Sequence, residues 1–222
     1  MAETELQRSE SFTAAALLAL AGGLLDAYTY LCRGQVFANA ETGNIVLLAL
    51  RLAEGRWGDA LHYLLPILAF ALGVLAAEFI KGRHRAAGTF HWRHTVLLAE
   101  IAVLVIAACV PMGGLDSVVN AMVAFVCAMQ VQAFRKVRGN AFASTMCTGN
   151  LRSGTDTLYH GMAGENRALL GKSACYFGVI GFFILGAALG GMLAPRFGQW
   201  AVLGAVGFQL AAFLWMCGGR RG

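Results

Sequence analysis

Two Thr-Gly-Asn tripeptides, Thr42-Gly43-Asn44 and Thr148-Gly149-Asn150, break otherwise apolar stretches of the chain. Asn and Thr side chains can cap a helix by accepting from unpaired backbone N–H groups. Glycine permits a sharp turn. Each tripeptide therefore reads as the start of a short helix, over residues 45–53 and 151–160. A helix N-terminus offers partial positive charge and bare N–H groups, which suit an anion or the oxygen of a polar solute.

Few ionisable residues lie near the tripeptides, so each one is informative. Asp26 falls within an apolar stretch. Glu41 directly precedes Thr42, where it can cap the short helix or carry a proton. Arg152 follows Asn150 by two residues and would favour an anion; snorkelling to the interface is its alternative role. Gln130 and Gln132 are polar residues inside a later apolar stretch. Glu78 and Glu100 lie near the ends of such stretches and read as interfacial.

The elements that must position these residues are membrane helices. Of 222 residues, 58% are hydrophobic and 13% charged. A soluble domain has about 45–50% and roughly 25%. So few charges cannot cover a solvated surface, which excludes a soluble domain, a disordered chain and a nucleic-acid-binding domain. The net charge of +5 reads as a topology signal. The 28 glycines lie mostly in apolar stretches, where small residues let membrane helices approach closely. They can serve packing within the chain or between copies, so a homo-oligomer stays open.

The six cysteines contain no CxxC pair and read as small buried hydrophobes. His91 and His94 are spaced i, i+3, but nothing completes a metal site around them. Hydrolase, phosphate-loop and metalloprotease signatures are also missing. No enzyme activity, metal or cofactor is therefore expected. Residues 1–11 carry Glu3, Glu5 and Glu10 against Arg8, unlike a basic signal-peptide start, and read as a cytoplasmic tail.

Six segments are long and apolar enough to span: 12–32, 61–80, 95–112, 115–134, 169–193 and 199–217. A repeat relates the halves. Arg33-Gly34-Gln35-Val36-Phe37-Ala38 matches Arg138-Gly139-Asn140-Ala141-Phe142-Ala143, offset by 105, and the tripeptides match at an offset of 106. Each half reads as helix, tripeptide segment, helix, helix, over 12–112 and 113–222.

Charge decides whether the tripeptide segments cross. If they dip in and return, 13 basic residues share one side, against Arg33, Arg51, Arg56 and Arg196. If both cross, giving eight crossings and parallel repeats, the split is nine against eight. The first arrangement obeys positive-inside. The expected fold is therefore an all-α membrane protein, with six transmembrane helices and two Thr-Gly-Asn half-helices in two inverted repeats. Both termini would be cytoplasmic, in a bacterial inner membrane. Such repeats are common in transporters. The functional expectation is a transporter or channel for an anion or small polar solute bound between the half-helix N-termini, with proton coupling open to the carboxylates. A non-transporting sensor or assembly protein is the alternative.

Residues 23–30, Gly-Leu-Leu-Asp-Ala-Tyr-Thr-Tyr, followed by Val36-Phe37-Ala38-Asn39-Ala40-Glu41-Thr42-Gly43-Asn44, resemble the first signature of the YoaK-like family of bacterial membrane proteins. Met129-Gln130-Val131-Gln132-Ala133-Phe134-Arg135-Lys136 and Thr145 through Gly154 are similar to its second. The resemblance runs from about residue 12 to 217. It implies about six spans and an inner-membrane location, and brings no substrate or active site with it.

Overall fold

A computed structural model describes residues 8–87, 92–142, 145–164 and 166–218. Glu3, Glu5, His91, Arg220 and Arg221 lie outside them. The chain is almost wholly helical: α1 (Phe12–Cys32), α2 (Glu41–Ala53), α3 (Trp57–Ala87), α4 (Trp92–Cys109), α5 (Asp116–Ala133), α6 (Cys147–Met162), α7 (Ala168–Phe197) and α8 (Leu203–Cys217). A two-residue hairpin, β1 (Lys136–Val137) with β2 (Asn140–Ala141), follows α5. Its turn, Arg138-Gly139, has φ of 48° and 78°. Two positive φ values in a two-residue loop match the twist of a hairpin. The repeat mate Gly34 is also left-handed, at 84°. The sharp turns thus sit at the Arg-Gly pairs of the repeat, not at the tripeptides.

Five helical runs are long and apolar enough to cross a membrane: Phe12–Cys32, Trp57–His84, Trp92–Cys109, Asp116–Ala133 and Ala168–Cys217. The last is broken at Gly198, where α7 gives way to a 3-10 turn and α8. Helices α1 and α5 are the most buried, while the α3 and α7 runs turn most of their apolar surface outward. Asp26 on α1 and Gln130 on α5 are therefore in the protein interior.

Hydrogen bonds sort the helix ends into two groups. At one end of the bundle, Arg93 donates to Ser9 Oγ (2.8 Å) and the Ala133 carbonyl (2.9 Å) and pairs with Glu10 (2.9 Å). Arg8 reaches the Trp215 carbonyl there, at 3.3 Å. This end gathers the starts of α1 and α4 and the ends of α5 and α8. At the other end, Arg33 donates to the carbonyls of Val110 (2.7 Å) and Pro111 (3.0 Å) and to Asp116 Oδ1 (2.8 Å). His62, in the first turns of α3, joins Ser117 Oγ (2.6 Å) and the Gly34 carbonyl (3.0 Å). The Cys32 thiol lies 3.8 Å from the Gly198 carbonyl. Helix α2, between Arg33 and His62, thus returns to the end it left. Helix α6 follows the end of α5, and α7 finishes at the opposite end, so α6 returns to the first. Arg33, counted among the four basic residues of the minority side, is not a surface charge. It is fully buried.

The halves pack by exchange. Helix α1 packs chiefly on α7, and α5, its repeat mate, on α3. Glycines make both contacts possible. A Cβ at Gly186 would overlap the Leu20 carbonyl, and one at Gly73 would overlap the Phe125 carbonyl. Leu20 and Phe125 are 105 residues apart, the repeat offset. By contrast, a Cβ at Gly43 or Gly149 meets nothing within 4 Å. Gly73→Val and Gly186→Val are therefore expected to cost at least about 1–3 kcal/mol each through overpacking. In a detergent melt both lower the apparent Tm, and Gly43→Ala and Gly149→Ala leave it within error.

Candidate functional site

The site is built around the middle of α1. Gly22 is the central residue of that 21-residue helix. By helical rise, about 15 Å separates it from either end. The segment before α2 arrives from one end of the bundle and the segment before α6 from the other, and both reach Gly22. Asn39 Nδ2 donates to the Gly22 carbonyl at 3.0 Å. Thr145 lays its methyl group over Gly22 so closely that a Cβ there would overlap it. Asn39 and Thr145 are 106 residues apart, the offset of the tripeptides, so they are repeat mates.

Asp26, one turn further along α1, is buried and anchors this junction. Its Oδ1 accepts from the Asn39 backbone N–H (2.9 Å) and from Asn39 Nδ2 (3.2 Å). Asp26 lies within Coulombic range of Glu41, the first residue of α2, and of Cys147, the first residue of α6. One α1 carboxyl thus faces the starts of both short helices.

The tripeptides sit inside the first turns of these helices, not before them. The N-cap residues are Ala40 and Met146, and neither provides a side-chain cap. Asn44 instead donates backward, to the Phe37 carbonyl (3.0 Å) and to Glu41 Oε2 (3.2 Å). The expected cap by Thr, Asn or Glu41 is therefore replaced by a side-chain brace on the approaching loop. Asn44 and Asn150 are both buried, while Thr42, Thr148 and Gly149 are exposed and Gly43 is half-buried. The helical period turns only one residue of each tripeptide inward.

Among the described residues, several polar atoms here are buried without a hydrogen-bond partner: Asn39 Oδ1, Glu41 Oε1, Asn44 Oδ1 and Thr145 Oγ1. A buried polar group left unpaired costs about 1–3 kcal/mol. Three of these are amide or carboxylate oxygens, which accept, and the Thr145 hydroxyl can accept or donate, so the cluster is chemistry for a guest that donates.

The other expected residues divide. Gln130 is buried on α5 and donates to the Leu18 carbonyl of α1 (3.2 Å), two turns from Asp26. Gln132 is not brought to the site. It hydrogen-bonds Glu78, itself paired with Lys81 at 2.8 Å, near the far end of α3. Arg152 is exposed and makes no ion pair among the described residues. The second face of a helix two residues past a buried Asn points away from it.

Sequence reasoning missed two features. Asn39 and Thr145 were read only as parts of the family signatures and not as site residues, although they share a position five residues before Asn44 and Asn150. Glu100 is not interfacial. It is fully buried on α4 and accepts from Gln209 of α8 at 2.9 Å, with Gln209 equally buried. Oε1 of each has no partner. Cys127 lies within Coulombic range of Glu100, Asp26 and Glu41 alike, so this pair adjoins the site. Among the described residues, no three His, Cys, Asp or Glu side chains are grouped to hold a metal ion.

Comparison with known proteins agrees with the sequence resemblance. The chain is 30% identical over 147 residues to UPF0700 transmembrane protein YoaK of Bacillus subtilis (strain 168). The matched stretch is 64% of this chain and 64% of the relative's length. No solved structure matches. Residues 14–215, which include α2, α6 and every site residue above, match the family model described as "Protein of unknown function (DUF1275)". With apolar helices, a transmembrane relative and that match, the chain is a bacterial membrane protein and belongs to the DUF1275, or YoaK-like, family.

Proposed function

We propose that this protein is a small-solute transporter or channel, whose solute binds at the middle of α1 between the starts of α2 and α6. The observation that carries this reading is the convergence of Asn39 and Thr145 on Gly22. Unwound backbone at membrane depth is tolerated where protein covers it or a cavity uses it. Here it brings unsatisfied acceptors to one place. Paired breaks of this kind, in the two halves of a chain, are the usual location of a transporter's substrate site.

The lining supports one class of solute over the other. Asp26 and Glu41 line the site, Glu100 adjoins it, and Arg152 faces away. The site therefore favours a small polar solute that donates hydrogen bonds, neutral or cationic, over an anion. The transmembrane arrangement that fits is six crossings, α1, α3, α4, α5, α7 and α8, with α2 and α6 as re-entrant half-helices of inverted repeats. The grouping of helix ends supports it. Positive-inside then sets the Arg93 end, with both termini, in the cytoplasm.

The test is flux in proteoliposomes, followed by light scattering with urea and acetamide and by an entrapped pH dye with methylammonium and guanidinium. At least one solute is expected to cross faster than in protein-free vesicles. Asn44→Ala and Asn150→Ala should each slow it, with the Tm retained. Flux at the protein-free rate for every solute, or equal flux in both variants, sinks the proposal.

A further inference from the structure

We infer that the open cavity at the Arg93 end of the bundle is a binding site for the phosphate of an anionic phospholipid headgroup. The cavity, about 380 Å³, lies where α3, α4 and α5 meet the hairpin. Lys81, Trp92, Arg93, Gln132, Arg135 and Lys136 line it. Its volume falls in the range of small-ligand pockets.

The charge is unbalanced. Lys81 is paired with Glu78, and Arg93 with Glu10. Arg135 and Lys136 are exposed and make no ion pair among the described residues. Two cations are thus left facing the cavity after internal pairing, and Arg presents a fork that matches phosphate oxygens. The Gln132 side chain adds a polar group at the wall.

Position argues for a lipid as the source of the phosphate. Trp92 carries Lys81 and Arg93 over its ring, at 5.7 and 5.6 Å. An indole ringed by cations belongs at the headgroup level. Helix α3, which delivers Lys81, exposes Leu72, Leu75 and Phe79 along its span. Basic pockets between spans on the cytoplasmic side recognise anionic headgroups in this way. The site is separate from the α1 junction; its cytoplasmic placement rests on the proposed topology, and not on transport.

The test is native mass spectrometry of the intact protein. It is delipidated in detergent and titrated with phosphatidylglycerol, phosphatidylcholine or inorganic phosphate. The second sample is the double variant Arg135→Gln/Lys136→Gln, whose two side chains are exposed, with a detergent melt to confirm the fold. Retention of phosphatidylglycerol over phosphatidylcholine is expected, with about a thirtyfold weakening in the variant. Equal retention of the two lipids, or phosphatidylglycerol binding that ignores the substitution, overturns the site. Inorganic phosphate that competes fully at equal concentration reassigns it to free phosphate and overturns the lipid.

Discussion

Asp26→Asn is expected to reduce solute flux by tenfold to a hundredfold while leaving the protein folded. The two consequences separate because Asp26 has two tasks. Its Oδ1 accepts from the Asn39 backbone and side chain, which holds the segment before α2 on α1. An amide oxygen can accept the same two hydrogen bonds. The charge facing the starts of α2 and α6 is lost, and with it a charge-assisted contact to a donating solute. Hydrogen bonds to charged groups contribute about 1.5–3 kcal/mol, which is the stated range in rate or affinity. Asp26→Leu should instead lower the Tm, because the Asn39 backbone N–H is then buried without an acceptor and Nδ2 keeps only the Gly22 carbonyl. If Asp26→Asn transports at the native rate, Asp26 is only a structural brace and the acidic character of the site is irrelevant.

Arg33→Met is expected to cause the largest loss of stability, about 3 kcal/mol or more. Arg33 has no exposed surface. It donates to Tyr28 Oη (2.8 Å), to two carbonyls after α4 and to Asp116. One side chain therefore ties the end of α1 to the link between α4 and α5. Removing one partner of a buried pair typically costs about 3–5 kcal/mol. Asp116 is 21% exposed, so solvent relieves part of its loss and the lower end applies. The double variant Arg33→Met/Asp116→Leu should recover some of the Tm, since no carboxylate is then left alone. A melt of Arg33→Met that matches the native protein refutes the clamp.

Much of this architecture was legible in the sequence. The first span was read at its true limits, 12–32, because its apolar run is coextensive with α1, which Ser11 caps. Helix α3 was read short, at 61–80, because its charged and aromatic ends leave the apolar run while remaining helical to Ala87. The repeat was visible in the sequence, and Gly34 and Gly139, which correspond in it, both take a left-handed φ. The starts of the short helices were misplaced. Thr-Gly-Asn has the composition of a cap, but Ala40 and Met146 occupy the cap positions and the tripeptide forms the first turn. Composition cannot distinguish those registers, since both put Asn near the helix start. The buried pair Glu100–Gln209 and the Arg33 clamp were hidden for another reason. Each joins residues more than 75 positions apart, and nothing local in the sequence announces the partner.

The central claim is that α2 and α6 enter from opposite sides and turn back after meeting at the middle of α1. Glu54, in the turn after α2, and Ala163, in the turn after α6, are exposed. On a cysteine-free chain carrying Glu54→Cys or Ala163→Cys, a membrane-impermeant thiol reagent applied to intact cells and to inverted vesicles locates each turn. The account predicts opposite sides: position 54 labelled in intact cells, and position 163 only in inverted vesicles. Labelling of both positions from the same side would contradict it, because the short helices would then cross the membrane.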